Sequence, residues 1–117
     1  MIAAWVDTLR EGDVEGAAEY FAVPSTAVNG GIMVRIRSTA DAVAFNESLP
    51  CGAELVRAES LGETVTATFR LGERPGPGSC GEGSGQLAQT AFVIEDGKIV
   101  EWRRVAEDTP KAEGETV

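Results

Sequence analysis

Between Gln86 and Val105 the sequence QLAQTAFVIEDGKIVEWRRV places two alternating apolar runs on either side of Asp96-Gly97. A two-residue Asp-Gly link is a strong hairpin signal, because the turn whose twist suits antiparallel strands needs positive φ at both central residues. Such a turn fixes register. With Glu95 opposite Lys98, strict alternation predicts Gln89, Ala91, Val93, Val100, Trp102 and Arg104 on one face. Thr90, Phe92, Ile94, Ile99, Glu101 and Arg103 fall on the other. The first face is expected to wall a pocket, with small Ala91 opposite the Trp102 indole. The second would leave Phe92, Ile94 and Ile99 outside as an apolar patch, which a homodimer formed sheet to sheet would cover.

Upstream, Ile2, Trp5, Val6 and Leu9 recur at helical spacing and predict an amphipathic helix ending near Gly12. Asp13 is placed to cap a second helix, with Val14, Ala17, Ala18 and Phe21 as its buried stripe and Pro24 as its end. Residues 25–37 surround Asn29-Gly30-Gly31 and read as a small hairpin, with Met33, Val34 and Ile36 in its second strand. Ser38 caps a third helix that turns Ala42, Phe45 and Leu49 inward, carries Asn46 beside that stripe, and stops at Pro50. Two long strands follow, 53–61 and 64–71. In the second, Val65, Ala67, Phe69 and Leu71 alternate with Thr64, Thr66, Thr68 and Arg70, so one face is core. The Gly- and Pro-rich residues 72–85 read as a mobile loop, and the acidic residues 106–117 as a flexible tail. The expected fold is therefore α+β, a single domain over residues 1–105 with three helices on the concave face of a strongly curved antiparallel sheet.

At 117 residues the chain has room for one core and a cavity, and not for two domains. Its 19 acidic residues against 10 basic ones, net −9, oppose binding to nucleic acid or to anionic membrane surfaces. No apolar run is long enough to span a bilayer, and no basic leader precedes the first helix, so the expected location is cytoplasmic. The absence of histidine removes Ser-His-Asp and Cys-His nucleophiles and imidazole-held metals. No metal or cofactor is expected. Cys51 and Cys80 read as two free thiols in a reducing compartment, with a disulfide between their loops as the alternative. No base or electropositive neighbour activates Cys51 as a nucleophile.

The helical start WVDTLREGDVEGAAEYFA and the terminal hairpin FVIEDGKIVEWRRV resemble the nuclear transport factor 2-like, or SnoaL-like, domains, over residues 2–105. That resemblance implies a cone-shaped, cystatin-like α+β fold, a dimer through the sheet, and a pocket between sheet and helices. It also brings in ketosteroid isomerases, scytalone dehydratases, polyketide cyclases and limonene epoxide hydrolases, whose acids can be sought by position. The isomerase base and oxyanion-site aspartate fall at or near Asn29 and Ala91. The epoxide hydrolase series Trp, Arg, Asp on the last strand reads Trp102, Arg103, Arg104 here. The resemblance thus implies a pocket and no established reaction.

The expected site has Trp102 as an apolar wall with Ala91 and Phe69 beside it. Arg104 and Gln89 would bind a carboxylate, phenolate or carbonyl oxygen. Asn46 either reads the ligand or caps a loop, and Tyr20 either donates a hydroxyl at the mouth or lies on the surface. The competing reading makes Trp102 plain core and Arg104 a solvated strand end. Arg35 and Arg37 read as solvated surface. The expected function is binding of a mainly apolar small molecule. The alternatives are a lyase, isomerase or cyclase acting on a polyketide- or steroid-like ligand through Tyr20, Glu47 or Glu54 with Arg104, and a dimeric protein-interaction module with a filled interior.

Overall fold

Helix α1 (Ile2–Arg10) buries the four residues its periodicity singles out, Ile2, Trp5, Val6 and Leu9, in a computed structural model that describes residues 1–75 and 79–105. Gly12, at φ 90°, breaks the chain into α2 (Val14–Ala18). The Asp13 side chain caps α2 by accepting from the Gly16 amide. This helix is shorter than expected. Phe21 and Pro24 belong to strand β1 (Phe21–Asn29), with Pro24 in a cis peptide, and it is Ser25 to Asn29 of this strand that pair with β2 (Ile32–Ile36). Phe21 stands at helical spacing from Ala17 and Ala18, but the Ile99 amide donates to the Tyr20 carbonyl, and this long-range pairing overrides the local pattern.

Helix α3 (Thr39–Glu47) starts as expected, with the Ser38 hydroxyl accepting from the Asp41 amide. Its C-terminal end is held from outside by Arg74. That buried guanidinium donates through Nε and Nη2 to the Leu49 carbonyl, through Nη2 also to Glu47 O, and through Nη1 to Pro75 O. Carbonyls left over at a helix end thus find partners.

The strands β3 (Gly52–Leu61), β4 (Thr64–Gly72), β5 (Leu87–Glu95) and β6 (Lys98–Val105) complete a six-stranded sheet in the order β2-β1-β6-β5-β4-β3. All neighbours are antiparallel except β1 and β6, which run parallel. The expected β5–β6 turn forms, with Asp96 at φ 52° and Gly97 at φ 74° and Glu95 opposite Lys98.

The face assignment beyond that turn is corrected by a bulge. Ile94 still pairs with Ile99, but Val93 pairs with Glu101, Phe92 with Trp102, Ala91 with Arg103 and Thr90 with Arg104. Val100 is the extra residue, and one inserted residue turns every later side chain to the opposite face. Trp102 and Arg104 consequently share the inner, helix-covered face with Thr90 and Phe92, while Gln89 and Ala91 face outward. Phe92 and Ile99 are wholly buried, so the apolar outer patch expected from strict alternation does not exist. The outer face instead carries Thr66, Thr68, Gln89, Ala91, Glu101 and Arg103. Gln89 Nε2 lies 3.4 Å from Thr68 Oγ1, and Arg103 meets Glu101 at 3.5 Å.

The core is one cluster under the three helices. Trp5 stands at its centre, edge-on to Phe21, Phe69, Phe92 and Trp102 at centroid distances of 5.7–6.5 Å. The cysteines are a disulfide, Cys51 to Cys80, and not free thiols. It ties the segment after α3 to the Gly-rich loop, where Gly81–Gly83 form one 3-10 turn and Glu73 accepts from the Cys80 and Gly81 amides. The tail, residues 106–117, lies outside the described residues, as do 76–78.

Candidate functional site

The inner face of the sheet is not filled throughout. Between α1, the segment after α3, and strands β4, β5 and β6 lies a half-open cavity of about 100 Å³. Its walls are Trp5, Val6 and Leu9 from α1, Leu49, Pro50 and Cys51 after α3, and Ala53, Phe69, Leu71, Ala88 and Trp102 from the sheet. Three polar side chains join them: Asn29, Thr90 and Arg104.

Each polar position follows from the bulged register. Thr90 stands directly across from Arg104, and Asn29 is one residue beyond the Val28–Arg103 pairing of β1 with β6. Arg104 is therefore flanked, in strand register, by Thr90 and Asn29 on its two neighbouring strands. Arg104 is partly buried and makes no ion pair among the described residues. Trp102 is 4% exposed, and its Nε1–H meets no acceptor among the described residues. Its counterpart Trp5 differs, donating from Nε1 to Asn46 Oδ1 at 2.9 Å.

Of the expected site residues, the structure brings together Trp102, Arg104 and Phe69. It removes the other four. Gln89 and Ala91 lie on the outer face because of the Val100 bulge. Asn46 is wholly buried and spent on structure, accepting from Trp5 and donating from Nδ2 to the Ala42 carbonyl at 2.8 Å. Tyr20 lines a separate surface groove with Thr8, Glu19 and Lys98. Thr90, Trp5, Leu9, Leu49 and Ala88 were not singled out as lining residues; alternation alone placed Thr90 on the wrong face. Among the described residues no Asp, Glu, Tyr or Lys lines the cavity, and no cluster of three His, Cys, Asp or Glu could hold a metal.

Solved structures with this architecture cover nearly the whole chain. A nuclear transport factor 2-like protein of unknown function from Cytophaga hutchinsonii superposes with TM-score 0.68 at 10% identity, over 89% of this chain and 84% of its own. The chain shares that nuclear transport factor 2-like fold. A candidate polyketide cyclase from Sinorhizobium meliloti superposes at TM-score 0.65 and 18% identity, over 86% and 89% of the two chains. A third, from Catenulispora acidiphila, has a ketosteroid isomerase-like fold and was crystallised with trimethylamine; it matches at TM-score 0.61 and 13% identity, over 92% and 85%. No family model matches the sequence, and no curated protein does. At these identities the likeness is one of fold.

Proposed function

We propose that this nuclear transport factor 2-like domain binds a small, mainly apolar molecule in the cavity over its inner sheet face. The observation that carries the reading is a half-open hollow of about 100 Å³ in an otherwise packed aromatic core, with its polar side chains confined to Thr90, Asn29 and Arg104. Native interiors are packed to crystal density, so a void kept open to solvent in such a core is a feature to explain. The alternative of an acid–base enzyme needs a group to move a proton, and Tyr20, Glu47 and Glu54 are not among the lining residues. The filled-interior interaction module is disfavoured by the hollow itself. The trimethylamine complex of the Catenulispora protein sets the scale of molecule we have in mind, a few heavy atoms.

Ala88→Leu tests the proposal. Ala88 is buried on the inner face opposite Phe69, so the substitution inserts three carbons into the cavity. Binding of xenon and of small apolar probes, read by shifts in the Leu9, Leu49 and Phe69 side-chain signals, is expected in the parent and lost in the variant. A parent protein that takes up neither ends the proposal.

Self-association through the sheet, as the resemblance implies, is a further proposal, with Thr66 and Gln89 as the part-exposed residues of the outer face, since Thr68 and Ala91 are already buried within the chain. A dimer on sedimentation at micromolar concentration supports it and a monomer ends it. No helix among the described residues is long and apolar enough to cross a membrane. A cytoplasmic location is the proposal drawn from the sequence; the Cys51–Cys80 disulfide argues against it, because stable disulfides belong to oxidising compartments, and the redox state of the pair in cells decides between the two.

A further inference from the structure

Of the polar side chains in the cavity, Thr90 and Asn29 both donate and accept hydrogen bonds, and Arg104 only donates. Trp102 lends its buried ring to the wall, and its Nε1–H is closed off from water-sized contact and meets no acceptor among the described residues. Two residues further along β6, on the same face and about 7 Å away at Cα, Arg104 offers a fork of five N–H donors and makes no described ion pair. Thr90 and Asn29 stand beside it and can each give a further hydrogen bond. Among the described residues no carboxylate lines the hollow. In a chain of net charge −9, a pocket holding an arginine and no acid reverses the local sign.

We propose that the ligand is a small monocarboxylate, its oxygens accepting from Arg104 with Thr90 and Asn29 beside it, and its apolar body lying among Trp5, Leu9, Leu49 and Phe69. This rests on the cavity-binding reading above and adds the chemical class. A guanidinium beside a half-buried mouth suits a carboxylate through charge-assisted bonds, and a neutral oxygen gains only part of that. A cationic amine of the same shape meets repulsion from Arg104. Size limits the body. A dry cavity of about 150 Å³ takes benzene, so one of about 100 Å³ takes about four or five carbons, branched more readily than extended.

The test uses three probes of one shape, 3-methylbutanoate, 3-methylbutanamide and 3-methylbutylammonium, titrated at neutral pH into ¹⁵N-labelled protein while the two indole N–H signals are followed. The carboxylate is expected to move the Trp102 signal more than that of Trp5 and to bind about tenfold tighter than the amide, with the ammonium weakest. Arg104→Gln should erase the advantage of acid over amide and leave amide binding unchanged. Equal affinities for acid and amide, or an Arg104→Gln variant that still prefers the acid, would overturn the assignment. Xenon separates the two levels of the argument: if xenon enters while the carboxylate shifts nothing at millimolar concentration, the ligand class is wrong and the cavity reading stands. If neither enters, both fall.

Discussion

Removing the Asn46 carboxamide should cost this fold about 2–3 kcal/mol, although the side chain touches no ligand in the site proposed here. Asn46 is wholly buried on α3, where its Oδ1 accepts from Trp5 Nε1 at 2.9 Å and its Nδ2 donates to Ala42 O at 2.8 Å. In Asn46→Ala the indole N–H of Trp5 stays buried without an acceptor, a penalty of about 1–3 kcal/mol. The hole left by three heavy atoms adds about 1 kcal/mol, and the better helix propensity of alanine returns about 0.5 kcal/mol. At about 4 °C per kcal/mol for a domain of this size, the melting temperature should fall by roughly 8–12 °C. Urea denaturation of the parent, Asn46→Ala, Trp5→Phe and the double variant isolates the bond itself. The cycle should show a coupling of about 1–2 kcal/mol, because Trp5→Phe removes the donor that Asn46→Ala strands. A single variant within about 0.5 kcal/mol of the parent, or a cycle in which the two changes simply add, would refute the assignment of Asn46 to structure.

Arg74→Met should destabilise the domain by about 2–3 kcal/mol, read by the same denaturation, because the Leu49, Glu47 and Pro75 carbonyls lose a charged donor; Arg74→Lys should recover part of it. Reduction of the Cys51–Cys80 bridge, which closes a loop with a sequence separation of 29, should cost up to about 3.5 kcal/mol by loss of the loop constraint on the unfolded chain. Intact mass after alkylation, with and without prior reduction, checks the bridge, and a Cys51→Ser/Cys80→Ser variant as stable as the parent would contradict that estimate.

Local chemistry was enough for much of this fold. The stripe of α1, the caps at Asp13 and Ser38, and the Asp96-Gly97 turn each depend on residues within a few positions of one another, and each stands where the sequence puts it. The α+β class, the helix-covered sheet, and the places of Trp102, Arg104 and Phe69 at a cavity follow from those elements. What lay beyond reach was decided between segments distant in the chain. Phe21 left the helix because β1 could pair with β6 across some eighty residues, and Asn46 became structural because Trp5 needed an acceptor, contacts that no local pattern announces. The bulge at Val100 is the sharpest case, since an ordinary β-branched residue carries no mark of irregularity, yet its insertion exchanged Gln89 and Ala91 for Thr90 and Phe92 on the inner face. The sequence by itself determined which elements form and where they turn, because those are short-range torsional and capping preferences. Which side chains meet in the cavity, and which cysteine meets which, only the tertiary structure decided, because register and long-range pairing are set by the packing of the whole sheet against its helices.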